Sequence, residues 1–220
     1  MLTAVLLPAL AAAAQTKAEL KPGPPPNFGS AHGACGPGHP YIMRQAFTIA
    51  DPAPGAQLGT SVTGAARTSD LVLVGMPTGF VSGPSPAGLR VVTTATFGYP
   101  LVLKSPPGGP RNGVAAVKVR FAGGTAMLGG HCTQDLGLLG GTAPMYAGDT
   151  YLVFADLDAR SETYAGGFAY LIDPKTGAVV VPPGDFLVGF PAGAKLAGTL
   201  ATIRAEVTKQ RAATEKRAQR

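Results

Sequence analysis

The chain has no tryptophan, only two cysteines and only three histidines in 220 residues, and only 14% of its residues are charged. Each scarcity excludes something. With His32, His39 and His131 as the whole supply of imidazole, a serine or cysteine nucleophile that needs such a base must borrow one from the cysteine neighbourhoods. The motifs that announce common active sites are missing too. There is no G-x-S-x-G elbow, no G-x-x-x-x-G-K-[ST] loop, no H-E-x-x-H, and no G-x-G-x-x-G between a strand and a helix. Neither an enzymatic activity nor a cofactor is therefore expected. One weak acidic cluster, Asp156-x-Asp158 with Glu162, carries oxygen ligands that suit calcium. It lacks the EF-hand spacing and central glycine, so a solvated loop is the plainer expectation.

No apolar run is long enough for a membrane helix, which needs about 20 residues. The run from Leu2 to Leu10 is shorter, and alanines after it satisfy the small-x-small rule at Ala12 and Ala14. Residues 1–14 read as a secretory signal peptide, although no Lys or Arg precedes the run, and no cysteine follows to take a lipid. A secreted or periplasmic protein without a membrane span is expected. The net charge of +6 is concentrated at one end: between Arg204 and Arg220, six Lys and Arg stand against Glu206 and Glu215, leaving +4 there and +2 elsewhere. That tail contains no aromatic residue to stack on bases, so a nucleic-acid partner is not expected.

What the chain does have is 31 glycines and 21 prolines that break up Val-, Thr- and Leu-rich segments, the profile of many short strands. Residues 15–40 are so rich in Pro, Gly and Ala that no periodicity survives, which predicts an arm or linker. A β-domain is expected over 41–190, with a weak first strand at 41–50. Leu71 to Val74 form a continuous apolar run, consistent with a strand buried on both faces. In "LRVVTTATFGYPLVLK" the residues Val91 to Leu103 of odd number share one parity, predicting a long strand bent at Gly98-Tyr99-Pro100. "VKVRF" alternates with one wet face, "TYLVFADLD" is a further strand, and Asp173 to Gly177 supply the turn of a hairpin. Phe97, Leu101, Val119, Leu152, Phe154 and Phe168 are the candidate core. Leu196, Leu200, Ile203 and Val207 follow helical spacing, so residues 191–220 predict a helix fraying into a basic tail.

Five or six antiparallel strands with one terminal helix fit an all-β fold, a small closed or nearly closed barrel. The succession "SDLVLVG", a long strand ending "LVLK", "AGGT", "YAGDTYLVF" and an aromatic-rich hairpin resembles uncharacterised secreted bacterial β-proteins. In outline it is similar to the netrin-like, OB-fold barrels that include the tissue inhibitors of metalloproteinases. The resemblance spans about residues 69–181. It implies an extracellular protease inhibitor as a second reading; in that family an amino-terminal cysteine chelates the target's zinc, whereas Cys35 is internal.

Cys35 stands in "HGACGPGH" and Cys132 in "GGHC", so both have histidine neighbours. Besides two free thiols, two readings stay open. A disulfide between Cys35 and Cys132 is the simplest pairing for an exported chain. A zinc or copper set of His32, Cys35, His39, His131 and Cys132 is the other, against which the adjacency of His131 and Cys132 counts. The glycine pairs Gly123-Gly124, Gly129-Gly130 and Gly140-Gly141 predict one long loop, able either to approach a ligand or simply to bend. The leading functional expectation is a secreted, non-enzymatic module that binds a protein or other macromolecule outside the cell or in its envelope.

Overall fold

The computed structural model describes residues 35, 41–44, 60–135, 145–158, 163–181 and 188–219. The expected signal peptide at 1–14, all of the expected arm at 15–40 except Cys35, and Gly140, Gly141 and Glu162 lie outside them. In chain order the elements are β1 (Tyr41–Arg44), β2 (Thr60–Ser61), α1 (Val62–Thr68), β3 (Leu71–Pro84), β4 (Val91–Lys104), β5 (Ala116–Ala122) and β6 (Gly124–Leu128). There follow β7 (His131–Asp135), β8 (Thr150–Asp158), β9 (Thr163–Ile172), β10 (Val179–Val180), β11 (Val188–Gly189) and α2 (Leu196–Ala218). The protein is mostly β with a C-terminal helix. Among the described residues no helix is long and apolar enough to cross a membrane.

The main sheet has the order β10-β9-β5-β4-β3-β8, and β8 also pairs with β9, so the pairings β3–β4–β5–β9–β8–β3 return to their start. The sheet is mixed, which corrects the expectation of antiparallel strands throughout. Around a ring of five strands direction cannot alternate at every step, and the parallel step falls between β5 and β9, at Val119↔Tyr164 and Arg120↔Ala165. Two smaller sheets complete the fold, β1-β7-β6 and β11-β2, each with a parallel pair.

Two apolar clusters lie on opposite sides of β3 and β8. Leu71, Leu73, Tyr151, Val153 and Ala155 join Ala95, Phe97, Val117, Val119 and Phe121 of β4 and β5. Val72, Val74, Leu152 and Phe154 instead meet Ala65, Ile203 and Val207 from the two helices. This explains the unbroken run Leu71 to Val74: alternate side chains enter different cores, so none reaches water. Phe97, Val119, Leu152 and Phe154 are fully buried. Phe168 is partly buried against the helical cluster.

Leu101 departs from expectation, being 37% exposed. Gly98 pairs with Met76 and Leu101 with Val74, so Tyr99 and Pro100 face the single residue Gly75. The extra residue is a β-bulge, and it exchanges the faces of everything beyond it. Odd positions are inward up to Phe97; past the bulge Val102 is buried and Leu101 turns outward.

Sequence periodicity gave no sign of α1, whose "VTGAART" is poor in helix formers. Its ends are held by side chains. Ser61 Oγ accepts from Gly64 N at 3.0 Å, and Lys104 Nζ donates to the carbonyls of Ala66 and Arg67, each at 2.9 Å, satisfying the orphan groups at both termini. Arg67 Nε donates to Glu206 Oε1 at 2.9 Å, tying α1 to α2. The guanidinium holds the Glu206 carboxyl below its ordinary range, with burial opposing. Beyond Val207 the helix does not fray at Arg211 but continues to Ala218, fully exposed from 211 onward. Alanine, arginine, lysine and glutamate favour helix without tertiary help, and Lys216 and Arg217 suit the negative end of its dipole.

The predicted glycine loop is partly a hairpin. Gly129 and Gly130, with φ of 58° and 82°, form the turn joining β6 to β7. The hairpin is anchored at its base: Thr93 Oγ1 donates to Gly123 O at 2.7 Å, so Ser82 Oγ, also 2.7 Å away, donates to Thr93. Gly124 lies over both hydroxyls with φ 125°, and a Cβ there would collide with them. Gly124→Ala is therefore expected to destabilise by about 2 kcal/mol, combining left-handed strain with displacement of a buried hydrogen-bonded pair. Urea denaturation measures this; a change below about 0.5 kcal/mol would show that the hairpin base moves freely.

Candidate functional site

Cys35 and Cys132 form a disulfide with Cα atoms 5.3 Å apart. Cys132 is buried in β7, opposite Met127 of β6 and Tyr41 of β1. The tie thus sits on β7 at the position that pairs with Tyr41 of β1. A disulfide sulfur has no thiolate to offer a metal. Strand alternation also puts exposed His131 on the face of β7 away from buried Cys132. His32 and His39 lie outside the described residues. Among those residues no three His, Cys, Asp or Glu side chains are grouped to hold an ion.

The acidic trio does not assemble as one ligand set. Asp158 faces Arg120, its Oδ2 at 4.0 Å from Nη1. Asp156 lies beside Asp70 and Lys104, and burial raises its pKa ahead of the other influences. Asp70 is itself engaged, with Oδ2 accepting from Leu157 N at 2.8 Å. Glu162 lies outside the described residues. Of the glycine pairs, Gly123-Gly124 anchors a hairpin and Gly129-Gly130 turns it, so bending rather than ligand contact accounts for both.

A different surface stands out. The helical cluster takes Val72 and Val74 from β3 and Leu103 from β4; beyond these positions the outer sides of β3, β4 and β5 contribute no residue to it. Register places Met76, Gly79 and Val81 of β3 beside Gly98, Thr96 and Thr94 of β4. The latter lie beside Ala116, Lys118 and Arg120 of β5. Met76 is 50% and Val81 68% exposed. Small residues leave the backbone shallowly covered, and two cations edge the face. Arg120 is additionally bonded to Thr163 Oγ1.

The bulge that misaligned Leu101 serves this end of the face. Tyr99 has φ 42°, a left-handed conformation costly for a tyrosine, and its ring is 78% exposed. Its N–H donates to Ala115 O at 3.0 Å, fixing the strained backbone. Pro100 is packed against Gly75, where a Cβ would come within 3.1 Å. Burial of the proline thus forces the neighbouring aromatic outward. Strain of this kind persists only where surrounding structure imposes it, and it gathers at functional positions.

A sequence signal for the face exists. From Leu71 to Gln134 the chain contains no Asp or Glu, yet it carries Arg90, Lys104, Arg111, Lys118 and Arg120. Net charge over the whole chain hides this run because Asp70, Asp135 and later acids offset it. Lys104 is engaged at α1 and Arg120 with Asp158 and Thr163, which leaves Arg90, Arg111 and Lys118 to the sheet and its turns. No protein-family model, curated protein or solved structure matches the chain.

Proposed function

We propose that this protein is an exported, non-enzymatic binding module whose outer β3–β4–β5 face receives an acidic protein partner. The cation-edged face, built from a run without acidic residues, with a strained, projecting Tyr99 carries the reading. Opposite charge would steer the partner and fix its register, and the tyrosine would supply a rigid aromatic anchor. Protein is favoured over nucleic acid because Tyr99 stands without a row of aromatics for successive bases.

The scaffold for this face is a small closed barrel of the OB or netrin-like kind. It is supported by the ring β3–β4–β5–β9–β8–β3, by the parallel β5–β9 step that an odd ring requires, and by an apolar cluster drawn from all five strands. Export is supported by the apolar leader at Leu2 to Leu10 and by the Cys35–Cys132 disulfide, a bond that oxidising compartments sustain.

The test is photo-cross-linking from position 99 in the exported fraction, with position 209 on α2 as control. An acidic protein captured at 99 and not at 209 supports the reading. With that partner purified, Tyr99→Ala is expected to weaken binding by about 2 kcal/mol, and Lys118→Glu to slow association and flatten its salt dependence. Equal capture from both positions, or nucleic acid as the sole species captured, would overturn it.

A further inference from the structure

The pairing of β8 with β3 ends at Gly75↔Tyr151, while β3 and β4 continue together to Pro84↔Val91 and close through residues 85–90. This tip is hydrogen-bonded rather than loose. Ser85 N donates to Arg90 O and Gly88 N to Ser85 O, both at 2.7 Å, and Arg90 N donates to Ser85 Oγ at 3.3 Å. Pro86 fixes one backbone angle, and Gly88, with φ 68°, takes the left-handed position of the turn.

What the closed tip carries outward is apolar. Pro84, Pro86, Ala87 and Leu89 are exposed, Leu89 at 71%. An exposed leucine means little alone; the setting distinguishes this one. Arg90, also exposed, is the one charged residue between Leu71 and Leu103. By register Asp135 reaches only the foot of the hairpin, opposite Gly124, and Arg44 of β1 stands opposite it in turn. Leu157, the other strongly exposed leucine outside the β3–β4 sheet face, is instead flanked by Asp156 and Asp158.

We propose that the β3–β4 tip touches an anionic bilayer, with Leu89 entering the interface beside Pro86 and Ala87 and Arg90 staying among the headgroups. The tip is convex, and a bilayer interface receives a protruding apolar side chain without a preformed pocket. Charge selects the lipid: Arg90 and a net charge of +6 attract an anionic surface and gain nothing from a zwitterionic one. The turn bonds fix the backbone beforehand, so little ordering opposes contact. One leucine and one cation give weak, reversible attachment. Tyr99 lies eight residues beyond Val91 along β4, about 25 Å in a strand, so contact through the tip leaves that end of the sheet face open to a protein partner.

The experiment exploits the absence of tryptophan. Leu89→Trp puts the sole indole at the tip; Leu157→Trp, two residues past the Leu71↔Ala155 pair at the other end of β3, is the control. With vesicles of equal parts phosphatidylcholine and phosphatidylglycerol, Leu89→Trp emission is expected to move to shorter wavelength and to become shielded from acrylamide. The control should not change, and phosphatidylcholine alone should change neither. When the native chain is sedimented with the mixed vesicles, Leu89→Asp is expected to lower its partition about tenfold, with the unfolding midpoint unmoved because the replaced side chain is exposed. Arg90→Gln should lower partition less and flatten its salt dependence. No change in Leu89→Trp emission, equal changes at both positions, equal binding to phosphatidylcholine alone, or a folded Leu89→Asp variant with unchanged partition would each overturn the proposal. No protein partner enters these measurements, so their failure leaves the reading of the Tyr99 face untouched.

Discussion

Cys132→Ser, or reduction of the native chain, is expected to lower the unfolding free energy by about 4 kcal/mol. The bond joins residues 97 apart in sequence, and in the chain-entropy account closing a loop of that length restricts the unfolded ensemble by about 4 to 5 kcal/mol, less any cost of fitting the native geometry. The local structure adds to the effect. β1 has four residues and meets the rest of the protein through its parallel pairing with β7, at Tyr41↔Cys132 to Arg44↔Asp135. So short a strand needs the neighbouring covalent tie to hold its register. Urea denaturation with and without reductant measures the loss. Cys35→Ser should match Cys132→Ser, and the double variant should cost no more than either, because both remove the same constraint. A loss below about 1 kcal/mol would mean that the unfolded chain is already compact around this loop.

Continuous apolar runs made β3 and β8 legible, alternation made β5 so, and turn residues and helical spacing revealed the β9–β10 hairpin and the apolar stripe of α2. Sequence pattern failed at three places for separate physical reasons. At Tyr99 one extra residue reversed parity, and nothing in "FGYPL" distinguishes a bend from a bulge. At α1 the helix is held by Ser61, Lys104 and Glu206, the latter two distant in sequence, so local propensity does not reveal it. In the "AGGTAMLGG" stretch glycines concealed a hairpin, since its strands are short and anchored by Ser82 and Thr93 from elsewhere. The candidate site divides in the same way. Its acid-free run was readable in the sequence, but the face it creates depends on which strands lie side by side, and its anchor on a backbone angle.

Phe154→Ala is expected to cost about 3 to 5 kcal/mol, the range for truncating a buried aromatic, and to lower the melting temperature by on the order of 10 °C. The ring is fully buried, packed edge-on to Tyr170 with centroids 6.5 Å apart, and Tyr170 in turn meets Phe190 at 4.7 Å. These three aromatics link β8 and β9 to the segment just before α2. Phe154 belongs to the helical cluster rather than to the one shared by β3, β4, β5, β8 and β9, so its loss has a direction. Amide exchange should accelerate first in α1 and in the half of α2 around Ile203, while β4 and β5 keep most of their protection. Val153, the preceding residue in β8, points into the other cluster, and Val153→Ala should loosen β4 and β5 first, at a smaller cost because fewer atoms are removed. Comparing the two exchange maps tests the partition. If both substitutions loosen the same elements, the two clusters unfold as one unit and the separation across β8 carries no energetic weight; if Phe154→Ala costs under about 1 kcal/mol, the helices do not rest on that face of the sheet.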